Sequence, residues 1–395
     1  MLLSIALILL VGMALSGLCQ RLRLPGLVGM LATGILLGPY GLNWIDASIL
    51  AISAEIRKIA LIVILTRAGL RLDLAGLRRL GRPALLMCFV PACLEILGVV
   101  WLAPGLLGLA RLEAALLGAV LAAVSPAVVV PRMVRLMDEG YGTRQGVPQM
   151  ILAGASVDDV VVIVLFTTFL GMLRGSDVSA VRFVNVPVSV ALGAVLGGLS
   201  GAALSALFAR RHLRDTVKIL LMLCLSFLLV AAEDALKTQI TFSALIAILT
   251  MGVAIQRHRT QAAARLGARY DKLWVAAEVF LFVLVGATVD LRVLGMVGGR
   301  ATGLIAGGLL FRMLGVLLCL LGTELSRRER LFAMIAYTPK ATVQAAIGGV
   351  ALGMGLPCGA LVLSVAVLSI VLSAPLGAFA IDGSYRKLLR RADES

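Results

Sequence analysis

The sequence predicts an all-α polytopic membrane protein of about thirteen transmembrane helices, with its N-terminus outside and its C-terminus in the cytoplasm. Of the 395 residues, 61% are hydrophobic and only 14% are charged, a composition that soluble domains of this length do not show. Apolar windows of roughly 20 residues, the length that crosses a bilayer, follow one another almost from end to end. Basic residues collect in every second loop between these windows.

The apolar windows define the predicted spans. Each is bounded by charged residues, glycine or proline, which are typical of the loops that join membrane helices. No stretch is left over for a soluble domain, and the longest cytoplasmic loop is expected at 256–272. The spans are 2–19, 25–42, 56–71, 84–103, 114–136, 149–173, 186–208, 217–233, 240–256, 272–289, 301–322, 331–353 and 359–381.

The basic residues account for the net charge of +15 and set the orientation. They cluster in the loops that follow the odd-numbered spans and are sparse in the others. By the positive-inside rule the loops rich in Lys and Arg are cytoplasmic. The N-terminus is then outside and the C-terminus inside, so the number of spans is odd. The charge therefore reflects topology, and no nucleic-acid partner is expected. The cysteines form no CxxC pair, which argues against a disulfide framework or a zinc-type site.

Five ionisable residues lie near the centres of their spans, where a charge costs roughly 3 kcal/mol or more. They are Glu95 in the fourth span, Asp158 and Asp159 in the sixth, Arg312 in the eleventh and Lys340 in the twelfth. At similar depths they could converge on one polar cluster. Three carboxylates and two cations leave one net negative charge, which one Na⁺ or one H⁺ would neutralise. Such a site binds one ion to the exclusion of the other and predicts cation/proton antiport.

Prolines interrupt two of the spans near their middles. Ser125-Pro126 lies in the fifth span with Pro131 one turn later, and Pro339 lies in the twelfth. Proline removes a helical hydrogen bond where lipid offers no replacement, so each break requires a polar cavity lined by protein. The two spans run in opposite directions, and each is the middle member of a three-span unit. Broken helices at matching positions of inverted repeats indicate a transport site at the midplane.

The two adjacent aspartates point about 100° apart on a helix, so we expect them to have different roles. Ser156 lies three positions before Asp159 and would place a hydroxyl on the same face. Carboxylates, hydroxyls and the carbonyls freed at Ser125 would supply the oxygen ligands that Na⁺ or Li⁺ requires. The predicted metal ligands are Asp159 and Asp158. No cofactor is expected, because the ions are the cargo.

Six short segments of the sequence are similar to segments of a known family. They are LTRAGL at 65–70, VSPAVVVP at 124–131, GYG at 140–142, GVP at 146–148, SVDD at 156–159 and PKATVQAA at 339–346. Together they resemble the monovalent cation/proton antiporter superfamily, in particular the sodium/proton exchanger branch shared by bacteria and animal organelles. The resemblance covers most of the chain. It implies the sodium/proton antiporter fold, in which the helices that carry Pro126, Pro131, Pro339 and Thr342 are a crossed, broken pair.

The resemblance also implies roles for the charged residues. The second aspartate of the pair is the carrier in that family, which would be Asp159 here, while Asp158 assists. Electrogenic bacterial members have a lysine where this chain has Arg312. The branch with arginine at that position pairs it with a glutamate that matches Glu95. Lys340 matches a lysine of the same branch, and its partner is open.

Family members are homodimers in which a core bundle slides against a fixed dimerisation domain. By this resemblance, 1–83 holds helices of the scaffold and 84–173 the first core repeat with the ion site. Residues 174–300 form further scaffold helices and a linker, 301–381 the second core repeat, and 382–395 a cytoplasmic tail. We expect the protein in a lipid bilayer, as a multi-pass protein of a bacterial inner membrane.

Several alternatives stay open at this point. The pair of Glu95 and Arg312 could be purely structural, Glu278 is a weak candidate for the partner of Lys340, and K⁺ could replace Na⁺ or Li⁺. A cation channel or an intramembrane aspartyl hydrolase are alternatives of other classes, although such a hydrolase needs aspartates on two facing helices. Arginine keeps its proton, so the charge count favours one proton per cation. Adjacent aspartates in the superfamily usually accompany electrogenic exchange, however.

Overall fold

The computed structural model describes residues 1–22, 24–72, 81–173, 180–211, 213–236 and 242–391. Nearly all of them are helical, and none lies in a β-sheet. In chain order the helices are α1 Leu2–Arg21, α2 Gly26–Leu37, α3 Ala47–Ala51, α4 Ser53–Arg71, α5 Gly81–Met87, α6 Val90–Leu107, α7 Arg111–Leu121, α8 Pro126–Asp138, α9 Val147–Leu173, α10 Ala180–Arg210, α11 Asp215–Leu236, α12 Ala244–His258, α13 Thr260–Ala287, α14 Leu291–Leu320, α15 Arg327–Ala336, α16 Thr342–Gly348, α17 Val350–Gly353 and α18 Gly359–Leu388.

The predicted fold class is confirmed. Among the described residues, eight helical segments are long and apolar enough to cross a membrane. Three shorter apolar stretches, Gly26–Leu37, Ala244–His258 and Thr342–Gly353, match further predicted spans. The third and tenth predicted spans correspond to α4, with 19 residues, and α13, with 28. Every predicted span therefore overlaps a helix.

The fifth and twelfth spans are broken near their middles, as predicted. The first break separates α7 from α8, and the second separates α15 from α16. Pro126 is the first residue of α8, a position where its missing N–H leaves no helical hydrogen bond unmade. The N–H of Ser125 donates to the Pro339 carbonyl at 2.8 Å, so the two interrupted segments meet.

One predicted helix break is wrong, and one observed break is not predicted. Pro131 lies inside α8, which continues through it to its end, because one missing hydrogen bond is tolerated in a membrane helix. The fourth span, for which no break is predicted, is interrupted between α5 and α6 at Cys88 and Phe89. Pro91 follows at the start of α6 and has no N–H for the Met87 carbonyl, which explains the interruption at this point.

The predicted long loop at 256–272 is also wrong. Only Arg259 separates α12 from α13, and the rest of the segment is helical. Its basic side chains have partners on a neighbouring helix, because Arg265 and Arg269 lie 3.7 and 3.6 Å from the carboxylate of Asp215. A charged segment thus continues the helix beyond the apolar window that the sequence defines.

The chain divides into two compact units. Unit 1 comprises Met1–Glu55, Ala75–Val162 and Val279–Ser395, and unit 2 comprises Ile56–Leu74 and Ile163–Glu278. Unit 1 contains both broken helices and all five intramembrane charges. Within it, α6 and α14 pack closely, because the side chain of Phe311 fills the space beside Gly98.

A stripe of small residues joins α10 and α12 within unit 2. Glycines recur on α10 at an interval of four residues, which places them on one helix face. A Cβ atom at any of them would overlap a backbone carbonyl of α12 or of the residue just before it. The pairs are Gly193 with Ser243, Gly197 with Ala247 and Gly201 with Met251. Gly198, the neighbour of the central glycine, has nothing within 4 Å of such a Cβ.

We therefore expect Gly197→Val to destabilise the protein, because the added side chain would push α12 away from α10. Gly198→Val is the matched control on the same helix and should leave stability nearly unchanged. Thermal unfolding of the purified proteins in detergent measures both effects, with a loss of about 1–3 kcal/mol for the first variant. Equal stability of the two variants would contradict this packing.

Candidate functional site

The five charges predicted to lie in the membrane are on four segments of unit 1. Glu95 is on α6, Asp158 and Asp159 are on α9, Arg312 is on α14, and Lys340 lies in the break before α16. Four of these side chains are at most 1% exposed, while Asp159 keeps 8%. Burial of this depth requires each charge to have partners.

Arg312 is the centre of the network. Its Nη1 is 3.1 Å from Glu95 Oε2, and its Nη2 is 2.7 Å from Asp158 Oδ2. Its Nε donates to the Tyr337 carbonyl at 2.7 Å, and its Nη1 also donates to the Ala122 carbonyl. The guanidinium lies 5.4 Å from the centre of the Tyr337 ring. A planar fork with donors on three nitrogens can serve all these acceptors, whereas a lysine ammonium cannot.

Lys340 is bound to the same carboxylate as Arg312. Its Nζ is 2.6 Å from Glu95 Oε1, and it also donates to the Leu121 carbonyl. Its backbone N–H donates to Ser373 Oγ at 3.1 Å. Glu95, rather than Glu278, is therefore the carboxylate partner of Lys340, and it bridges two cations.

The last carbonyls of α7 lose their helical donors at the break. Pro126 has no N–H to give to the Ala122 carbonyl. The N–H of Ser125 goes to the Pro339 carbonyl instead of the Leu121 carbonyl. A buried carbonyl that is left without a donor costs about 1–3 kcal/mol. The break can exist only because other groups supply these hydrogen bonds.

Side chains from the second repeat supply them. The guanidinium of Arg312 donates to the Ala122 carbonyl, and the ammonium of Lys340 donates to the Leu121 carbonyl. Gln344 of α16 donates from Nε2 to Leu121 at 3.2 Å and to Ala123 at 2.8 Å. The negative end of the α7 dipole thus faces two cations and an amide.

The two aspartates differ in their surroundings. Asp158 is fully buried, and its Oδ2 accepts from both Arg312 and the N–H of Val124, at 2.7 and 2.8 Å. Its Oδ1 accepts no hydrogen bond within the described part of the chain. Asp159 is the more accessible of the two. The side chain of Ser156, predicted to lie beside Asp159, is outside the described residues.

Two hydroxyls lie at the starts of the second halves of the broken helices. Ser125 is the residue before α8 and Thr342 is the first residue of α16; both are buried. Neither hydroxyl oxygen has a hydrogen-bond partner among the residues that the structure describes. Buried hydroxyls of this kind are suited to bind a small cation or a water molecule.

The ligands available here are oxygen atoms of mixed type. No cluster of three or more His, Cys, Asp or Glu side chains that could hold a metal occurs in the described ranges. A cation in this region would therefore be held by carboxylate oxygens together with hydroxyl or carbonyl oxygens. With every group ionised, the five charged side chains carry one net negative charge, which matches a monovalent ion.

Two residues of the network were not identified from the sequence. Gln344 lies in an apolar segment, and the rule that flags buried charges also applies to a buried amide. Tyr337 contributes a backbone carbonyl and the face of its ring. No sequence pattern signals those roles, because they depend on where α15 ends.

Comparison with known proteins places this chain in a family. A profile of the family described as "Sodium/hydrogen exchanger, transmembrane" matches residues 5–382. The human sodium/hydrogen exchanger 9B2 is 32% identical over 384 residues, covering 94% of this chain and 71% of that protein. The human sodium/hydrogen exchanger 9B1 is 30% identical over 361 residues, covering 86% and 67%.

Among solved structures, the sodium proton antiporter MjNhaP1 from Methanocaldococcus jannaschii superposes with a TM-score of 0.83. The match covers 97% of both chains at 23% sequence identity. This likeness shows a shared antiporter fold. The family is one of secondary transporters, not of hydrolases. Because the family profile matches residues 5–382 of its 395 residues, this chain belongs to the sodium/hydrogen exchanger family.

Proposed function

We propose that this protein is a secondary antiporter that exchanges Na⁺, or Li⁺, for H⁺ by alternating access at Asp158 and Asp159. The observation that carries the proposal is the buried network of Glu95, Asp158, Arg312 and Lys340 at the crossing of two broken helices. Together with Asp159 it has one negative charge in excess. One monovalent cation or one proton makes the site neutral, and a neutral site crosses a low-dielectric region at much lower cost.

Asp159 is the proposed carrier, and Asp158 positions the site. Asp158 is held by a guanidinium and a backbone N–H, which both stabilise its ionised form. Asp159 is 8% exposed whereas Asp158 is fully buried, and a group that exchanges ions has to be the more accessible of the two. Ser125, Thr342 and Ser156 are the proposed hydroxyl ligands, and Glu95, Arg312 and Lys340 compensate charge.

Proton coupling follows from competition at one site. Na⁺ needs an ionised carboxylate, and a proton removes that ligand. Arg312 keeps its proton at every accessible pH, so it contributes a fixed charge. The charge count therefore favours one proton for each cation. Counter-flux of protons and cations in liposomes at a clamped membrane potential measures this ratio.

The alternatives are less well supported. The family description names sodium, which favours Na⁺ over K⁺. The aspartates are neighbours on α9, whereas an aspartyl hydrolase needs them on facing helices. A channel has no need of a carboxylate that titrates. Proton movement in liposomes on addition of Na⁺, Li⁺ or K⁺ tests ion choice and coupling together.

The protein is a multi-pass membrane protein, and we propose a bacterial inner membrane as its location and pH homeostasis by sodium extrusion as its role. A homodimer is proposed on the family's pattern, with 1–83 and 174–300 as scaffold and 84–173 and 301–381 as the moving core. Large apolar side chains exposed along α1, such as Leu2, Leu3 and Leu10, suit lipid or a second copy. Cross-linking in native membranes tests the dimer.

We expect Asp159→Asn to lower Na⁺-dependent proton flux by more than about tenfold, because the amide neither binds nor releases a proton. Asp138→Asn is the matched control: Asp138 is exposed at the end of α8, and flux should stay at the wild-type level. Both are measured in proteoliposomes with a pH-sensitive dye. Full activity of Asp159→Asn would overturn its role as carrier.

The pH dependence of the KM for Na⁺ tests competition. Below the pH at which the carrier is half protonated, each unit of lower pH should raise this KM by about tenfold, because protons occupy the site. At higher pH the KM should level off. The maximal rate at saturating Na⁺ should change much less. A KM that does not respond to pH would argue for separate ion and proton sites.

The paired charge reversal Glu95→Arg with Arg312→Glu should not restore activity lost in the single variants. Arg312 also binds Asp158, and Glu95 also binds Lys340, so the exchange would set like charges side by side. Each single variant should lose about 3–5 kcal/mol of stability. Flux and thermal unfolding measure both effects. Recovery in the double variant would mean that the pair serves architecture alone.

A further inference from the structure

Gln344 joins the two broken helices through a single amide group. It is fully buried on α16, and its Nε2 donates to the carbonyls of Ala123 and Leu121, at 2.8 and 3.2 Å. Two carbonyl acceptors require a donor, so they fix the orientation of the amide with its nitrogen toward the first break. Both acceptors belong to the first repeat, while Gln344 belongs to the second.

The hydrogen bond to Ala123 acts on the same peptide group that contacts Asp158. The carbonyl of Ala123 and the N–H of Val124 are the two ends of one planar peptide unit. Gln344 holds the carbonyl end at 2.8 Å, and Asp158 Oδ2 accepts from the N–H end at 2.8 Å. Because the unit is rigid, a group that fixes one end also fixes the direction of the other.

We propose that Gln344 is a positioning residue for ion exchange, which aims the Val124 N–H at Asp158 by holding the Ala123 carbonyl. This inference rests on the proposed Na⁺/H⁺ exchange. Since Gln344 is on α16, the position of the aspartate pair depends on the second broken helix as well as on α9. The two broken helices therefore hold the site jointly, and either one can distort it when it shifts.

Loss of the amide should affect ion binding before anything else. Without Gln344, no side chain in the described part of the chain donates to the Ala123 carbonyl, and the peptide turns to find another partner. Asp158 then loses the hydrogen bond from the Val124 N–H and keeps the one from Arg312. The ionised carboxylate is less stabilised and less well placed, so the site binds Na⁺ more weakly.

Gln344→Met tests this in proteoliposomes, because methionine has a similar length and no donor. We expect the KM for Na⁺ to rise by about tenfold, because Asp158 loses the buried hydrogen bond from the Val124 N–H. The maximal rate should stay within about threefold. The control is Ser364→Ala, which removes a buried hydroxyl that donates to the Ala360 carbonyl of its own helix. It should leave the KM unchanged. A lower unfolding temperature for Gln344→Met with an unchanged KM would reduce Gln344 to a structural role and overturn the proposal.

Gln344→Glu gives a second test that preserves shape and does not depend on the first variant folding. A protonated carboxylic acid can donate to the Ala123 carbonyl, whereas the ionised form repels it. The ratio of the variant's KM to that of the wild type should be near one at low pH and rise with pH. A ratio of one at every pH would overturn the proposal. Wild-type liposomes run in parallel: absence of Na⁺-dependent flux there refutes the proposed function, whereas normal wild-type flux with unchanged variants refutes only this inference.

Discussion

The buried guanidinium of Arg312 is the contact on which the rest of this site depends. It binds Glu95, Asp158 and the freed carbonyl of Ala122 while fully shielded from water. Removing one partner of such a buried pair costs about 3–5 kcal/mol, since the other charge is left uncompensated. Four segments from both repeats therefore have to remain in register around one side chain. The same contact makes the break between α7 and α8 possible, because it replaces the hydrogen bond that Pro126 cannot make.

The helix breaks and the charges explain each other. A broken helix in a membrane exposes carbonyls and N–H groups that lipid cannot satisfy. Here Lys340 and Gln344 of the second repeat bind the end of α7, and Asp158 accepts from the N–H of Val124. The cationic side chains of Arg312 and Lys340 thus have two functions. They neutralise carboxylates and also stabilise the backbone that lines the ion site.

This arrangement separates the two aspartates despite their adjacency. Asp158 faces the network and is fully buried, whereas Asp159, about 100° away on the helix, is 8% exposed. The complete burial of Asp158 and the slightly smaller burial of Asp159 fit the proposed division between positioning and carrying. Arg312 also binds Asp158, and Glu95 also binds Lys340, so the two residues belong to a network and are not an isolated ion pair.

The sequence by itself determined the fold class, the spans and the break positions at Pro126 and Pro339, because hydropathy, loop charge and proline act locally along the chain. It also identified the buried charges, since each is costly wherever it lies in an apolar helix. Only the tertiary structure decided which of these side chains bind each other. The pairing of Lys340 with Glu95 and the role of Gln344 depend on how distant helices cross, which no local pattern encodes. The helical continuity through Pro131 is likewise seen only in the structure, because a membrane helix tolerates one missing hydrogen bond and the sequence does not say where it does so.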